Sequence, residues 1–209
     1  MKILISVGLI CFAMISCERN KEIQLPKANF SVVTQLLDHS PIYLFFDQKG
    51  KDTLAVLNRK NAISSTHWIF LIDKRLPLRL VIPQVQFLQA KKEASAHKIE
   101  TAENYFAYAN DSLKTLAFTP FTKLIYKEGK APKTAGNVVI SVTKSGSFIY
   151  EDKPITLPEI KLLGQAKGAQ YQSIQLQFDD AMLFGTYLQA KILVEKTVPM
   201  FLAKTEYID

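Results

Sequence analysis

Apolar and polar positions along the chain fall into short runs whose periods separate strands from helices. Ile42-Tyr43-Leu44-Phe45-Phe46 is an aromatic and β-branched run that predicts a buried strand. Asp47 to Gly50 is a turn, and Lys51 to Leu57 predicts its hairpin partner. Trp68-Ile69-Phe70-Leu71-Ile72 predicts a second buried strand, ending at Asp73. Beyond it, Leu78, Val81, Ile82, Val85 and Leu88 recur at helical spacing, with Pro83 placed to open a late-starting helix or to kink an early one. Phe30, Val33, Leu36 and Leu37 also recur at helical spacing. Tyr105 to Tyr108 predicts a strand, and Thr115 to Tyr126 another, interrupted at Pro120.

The stretch Lys127 to Gly136 holds two glycines, a proline and three lysines, and is the strongest break in the chain. Beyond it, Val138 to Thr143 and Ser147 to Tyr150 read as a hairpin closed by Lys144-Ser145-Gly146. Thr156, Pro158 and Glu159 announce a helix from about Leu157 to Gln165. Ser173 to Phe178 alternates as a half-buried strand does, and Leu183, Tyr187, Ala190 and Val194 mark a helix face. Met200 to Ala203 predicts a last strand. The expected fold class is therefore α+β: two small two-layer α/β units, the second in the order ββαβαβ. The expected division is a first domain over 30–128, a linker over 129–136 and a second domain over 137–209.

The start of the chain follows a different pattern. Lys2 leads an apolar run from Ile3 to Ile15, small Ser16 precedes Cys17, and polar Glu18 to Glu22 follows. That is the layout of a secretory signal. Read instead as an uncleaved anchor, about 13 apolar residues span only about 20 Å of helix, short of a bilayer core of roughly 30 Å. Met14-Ile15-Ser16-Cys17 resembles the lipobox of bacterial lipoproteins, with Met where Leu is more usual. The resemblance implies a signal peptide over 1–16, acylation of Cys17 and a tether over 17–29. Cys11 and Cys17 are the two cysteines, so cleavage would leave no disulfide. The expected address is the cell envelope, in the inner or outer membrane, facing the periplasm or the cell surface.

Composition narrows this further. An apolar content of 48% with 22% charged residues excludes a disordered chain. The net charge of +7 contains no compact Lys/Arg run, so anionic lipid, lipopolysaccharide or cell-wall polymer is the expected counter-charge and no nucleic acid is expected. The densest basic region, Lys74, Arg75, Arg79, Lys91 and Lys92, reads as a solvated helix face.

From about 137 to 204 the chain resembles the periplasmic domain of the ExbD/TolR family. The matching pieces are Ile140 to Tyr150, the helix entry Pro154 to Ile160, and Ile174 to Gly185, where a strand passes through an acidic residue into a helix with an aromatic-Gly pair. The resemblance implies a partner-binding or cell-wall-facing role at the envelope. Family members carry an aspartate in an N-terminal transmembrane helix, and 1–16 contains no acidic residue, so proton conduction is not carried over. The first half offers a degenerate second copy. Tyr43 to Gly50 can be laid over Val139 to Gly146, and Trp68 to Asp73 over Ile174 to Asp179. The spacing disagrees, with 23 positions from Gly50 to Asp73 against 33 from Gly146 to Asp179, which leaves the first copy no room for a middle helix. Coincidence of strand and helix patterns is the alternative.

Catalytic signatures are not in evidence. His39, His67 and His97 have no second ligand at metal spacing, and no nucleophile elbow, zinc-protease motif or phosphate loop occurs. His67, beside Trp68 at a strand start, reads as structural. Asp73, Asp179 and Asp180 read as helix caps or partner contacts; no catalytic residue, metal or cofactor is expected. The expected function is a non-enzymatic, lipid-anchored envelope protein binding a protein partner or peptidoglycan, with homodimerisation open. The alternative is an envelope enzyme or small-ligand carrier with a pocket between the halves, around Asp73, His67 or Asp179.

Overall fold

The computed structural model describes residues 22–165 and 173–209, so Cys17 and the signal peptide expected over 1–16 lie outside the described residues. The fold is α+β, with two mixed six-stranded sheets and three helices among the described residues. In the first unit β1 (Lys27–Ala28), β2 (His39–Lys49), β3 (Asp52–Asn58), β4 (His67–Ile72), α1 (Leu78–Glu93), β5 (Asn104–Asn110) and β6 (Thr115–Pro120) follow in order. The second contains β7 (Ile125–Glu128), β8 (Asn137–Val142), β9 (Phe148–Tyr150), β10 (Lys153–Pro154), α2 (Leu157–Gly164), β11 (Ser173–Phe178), α3 (Phe184–Thr197) and β12 (Leu202–Ile208).

The two sheets share a plan. The first runs β3-β2-β4-β5 and the second β9-β8-β11-β12. In each an antiparallel hairpin is followed by two parallel strands. The match extends to the residue: β4 and β11, Asp73 and Asp179, and the starts of α1 and α3 are all 106 positions apart. The spacing mismatch has a structural source. The second unit inserts α2 between hairpin and parallel strand, and the first crosses from Asn58 to His67 with no helix. Thr156 caps α2 in a capping box, the Glu159 carboxylate accepting from the Thr156 N–H at 2.7 Å.

Several elements differ from the sequence expectation. Phe30 to Asp38 forms no helix. Val33 bridges Phe118, and Val33 and Leu36 pack over Ile69, Tyr105 and Phe118. The apolar outer face of the first sheet claims these side chains, and an extended segment covers it more fully than a single helical turn would. The segment expected as tether contributes β1, whose Lys27 and Ala28 pair with β5. The stretch Thr115 to Tyr126 is two strands in different sheets: β6 closes on β5, and β7 pairs with β12. The chain thus crosses between units over 121–124. The glycine-rich stretch meanwhile stays on the second sheet, through Gly129 N–H to the Ile208 carbonyl at 2.7 Å and Ala131 N–H to Gln177 at 2.8 Å. The last strand starts at Leu202, and Met200 is left exposed.

One apolar core runs through both units, from Phe70, Phe106 and Phe121 to Phe178, Phe184 and Tyr187. Phe106 stacks on Phe121 at 3.8 Å and meets Phe184 edge-on at 5.3 Å, which joins the two halves by direct aromatic contact.

Candidate functional site

Both turns from strand to helix meet at one joint. Pro77 and Leu183 form an antiparallel bridge between the units. The Leu78 N–H donates to the Met182 carbonyl at 2.9 Å, and the Phe184 N–H to the Leu76 carbonyl at 2.7 Å. The Arg79 N–H donates to the Asp180 carbonyl and the Gly185 N–H to the Lys74 carbonyl. Each bond is matched by one 106 positions away, so the joint has local two-fold symmetry. The first amides of α1 and α3, which have no partner inside their own helix, are capped by the backbone of the opposite unit.

This corrects the role expected for Asp73, Asp179 and Asp180. The N-cap positions are Pro77 and Leu183, and neither helix has a side-chain cap. Asp73 and Asp179 instead brace the turns, accepting from the N–H groups of Arg75 and Ala181 at 3.0 and 2.8 Å. Asp73 is fully buried and also accepts from the Gln24 N–H and twice from the Arg75 guanidinium. Burial would raise its carboxyl, but the Arg75 hydrogen bonds and the two backbone amides outweigh that and hold it below the usual 3.8. Arg75 in turn lies over Phe46 at 4.3 Å. With so many partners, Asp73 has no lone pair to spare for a substrate.

The other expected polar groups are also engaged. His67 Nδ1 accepts from the Glu103 N–H at 3.0 Å, a structural bond between neighbouring strands. His39 Nδ1 bonds the Leu36 carbonyl, and His97 lies in an exposed turn. Among the described residues no group of three or more His, Cys, Asp or Glu could hold a metal, and no helix is long and apolar enough to cross a membrane. The basic region is not uniformly solvated. Lys92 is buried, donates to Glu103 and Asn104, and lies over the Trp68 ring at 5.0 Å. Burial, with the neighbouring Lys98 charge, pushes its ammonium down to about 8.

Sequence reasoning missed a second polar cluster. Lys191 is paired with Glu206 at 2.7 Å and Glu195 at 2.8 Å; the Lys191 and Glu206 side chains are 4% and 3% exposed. Tyr187 donates to Glu206 at 2.6 Å and shares a hydrogen bond with Tyr126, while Thr119 of the first unit donates to Glu195. Burial would lower the Lys191 ammonium, but Glu206 and Glu195 hold it up to about 12. Burial, reinforced by the Glu206 charge, pushes the Tyr126 and Tyr187 phenols well above 10. The available signal was Lys191, four positions after Tyr187 on the apolar stripe of α3.

Lys191, Glu195 and Glu206 form the floor of a cleft of about 710 Å³ between the units, walled by Val32, Phe121, Leu124, Ile192 and Leu202. A pocket between the halves therefore exists, but not where it was expected: Asp73, His67 and Asp179 do not line it. Asp180 borders a separate 400 Å³ cleft with Arg79, Pro83 and Asp209.

The first sheet also ends in an open edge. Among the described residues β3 pairs with β2 alone, in unbroken register from Asn58 to Asp52, and contains no lysine, proline or bulge. These are the devices that usually block strand addition. Beside it the outer face presents Leu54, Val56, Tyr43 and Phe45, with Leu54 40% exposed and the two rings stacked at 5.6 Å. The outer face of the second sheet is more polar, with Ser141, Gln175 and Gln177 in line. The chain matches no protein-family model, no curated protein and no solved structure.

Proposed function

We propose that this chain is a non-enzymatic, lipid-anchored envelope protein that binds an extended segment of a protein partner by strand addition. The observation that carries the binding role is the unguarded β3 edge beside an apolar sheet face. An added strand would complete the ladder there and lay alternate side chains over Leu54 and Val56. Anchorage rests on the lipobox-like Met14-Ile15-Ser16-Cys17, and the envelope role on the ExbD/TolR-like second unit. The Asp73 and Asp179 carboxylates, each held by amides of its own turn, support a scaffold over a catalyst. The test is affinity capture after mild crosslinking, comparing wild type with Leu54→Lys, followed by hydrogen exchange on the recovered complex. An envelope protein that protects β3 amides and is lost in the variant supports the reading. Recovery of no envelope protein by wild type refutes it. Palmitate labelling tests the anchor, and equal labelling of wild type and Cys17→Ser removes it.

A second reading, an envelope carrier of a small ligand, is favoured by the 710 Å³ cleft between the units.

A further inference from the structure

The cleft that favours the carrier reading also has a chemical polarity. Its floor is the Lys191, Glu206 and Glu195 cluster, in which the single ammonium is already taken by two carboxylates, so the floor offers no free cation. Its walls are apolar and come from both units: Val32, Phe121 and Leu124 from one side, Ile192, Pro199 and Leu202 from the other. Val32 is 43% exposed, an apolar side chain that none of the described residues covers. Three lysines stand at the rim, Lys123, Lys196 and Lys204. Lys196 lies over the Phe30 ring at 4.5 Å, and Lys123 and Lys204 form no salt bridge among the described residues. A third carboxylate lining the cleft, Glu103, accepts the Tyr105 hydroxyl.

An apolar trough of this size, with cations free of salt bridges at its mouth and none free on its floor, suits an amphiphile whose charged end is an anion held at the rim. A neutral apolar ligand would leave the lysines without a counter-charge, and a polar anion would leave the walls wet. We infer that the cleft binds an acyl-chain anion, its chain along Val32, Ile192 and Leu202 and its carboxylate or phosphate at Lys123, Lys196 and Lys204. The inference deepens the carrier reading and is independent of the β3 edge.

The test is a fluorescence titration of the full chain carrying Cys17→Ser, so that no acyl group of its own competes, with cis-parinaric acid as probe. One saturable site per chain is expected. Val32→Asp should weaken binding at least tenfold. The double variant Lys123→Glu/Lys204→Glu should weaken it about tenfold at low salt, the gap narrowing as salt rises. Oleate should displace the probe at concentrations at least tenfold below oleyl alcohol. Comparing oleate with lysophosphatidylglycerol separates a free fatty acid from a lipid headgroup, the better competitor naming the source. Leu54→Asp, on the β3 edge, should bind as the parent does. Absence of saturation, equal affinity in Val32→Asp, equal competition by oleyl alcohol, or loss of binding in Leu54→Asp would each overturn the assignment. The last would place the probe on the outer face of the first sheet.

Discussion

Replacing Glu206 by leucine should reverse the direction in which the Lys191 contribution to stability depends on pH. Lys191 is 2.7 Å from Glu206 and 2.8 Å from Glu195, with both members of the Lys191–Glu206 pair almost wholly buried. Removing one partner of a buried pair costs about 3–5 kcal/mol. Glu195, 27% exposed, remains as a weaker partner, so the lower end, about 3 kcal/mol, is expected. In a chain of this length that corresponds to a fall in Tm of roughly 6–12 °C. In wild type the Lys191 ammonium is held above its ordinary 10.5, at about 12. Its contribution is fully present below 10.5 and is lost as pH rises through 12. In Glu206→Leu burial dominates, and the folded ammonium is pushed below its ordinary 10.5. The folded state then holds fewer protons than the unfolded one, and the stability deficit shrinks as pH rises. Urea unfolding at pH 7, 8.5 and 9.5, read as the difference from wild type, cancels the contribution of Lys92 and stays below the tyrosine titrations. The double variant Lys191→Met/Glu206→Leu should recover most of the loss, since no buried charge is stranded. A cost under about 1 kcal/mol, or a deficit independent of pH, would refute a charge-paired floor.

Three further outcomes are expected. Trp68 is the only tryptophan and has the Lys92 ammonium 5.0 Å from its ring, so its emission should titrate with a midpoint near pH 8; the same titration in Lys92→Met would assign it to another group. Asp73→Asn should cost about 2 kcal/mol at pH 7 through its charged hydrogen bonds. Because the carboxyl is held below 3.8, that cost should persist above 3.8 and vanish as acid protonates the wild-type group, and a deficit unchanged down to pH 2 would contradict this. A Cβ on Gly185 would sit 2.9 Å from Lys74 Cβ and 3.3 Å from the Lys74 carbonyl, so Gly185→Ala should destabilise by about 1–2 kcal/mol despite the better helix former. Stabilisation in a thermal melt would show that the joint has slack.

The strands and helices with strong periodicity were legible because burial sets both the pattern and the structure. Ile42 to Phe46, Trp68 to Ile72 and the Leu78 to Leu88 stripe are core segments in the fold as in the sequence. Phe30 to Leu37 was misread because three or four apolar positions fit a helical turn and an irregular cover equally well, and the choice was made by an apolar sheet face far away in sequence. The same non-locality hid the joint. Trp68 to Asp73 could be laid over Ile174 to Asp179, but the donors that cap α1 are satisfied by Asp180 and Met182 through backbone carbonyls, which carry no side-chain signature. The buried ion cluster was hidden for another reason. Lys191, Glu195 and Glu206 look like ordinary surface residues until α3 and β12 turn one face of each toward the core.

The stitching of the N-terminal segment has a mechanical consequence. Gln24 donates to Asp73 and accepts from Lys74, the Pro26 and Ala28 carbonyls accept from Ala109 and Asp111, and Gln189 of α3 reaches the Lys27 carbonyl. Because β1 lies parallel to β5, tension along the N-terminal segment loads these bonds together in shear rather than opening them one after another. Gln24 bonds to the turn that carries Lys74 and Leu76, the carbonyl acceptors for α3. A pull at that end is therefore passed directly to both units, and the molecule resists it as one body.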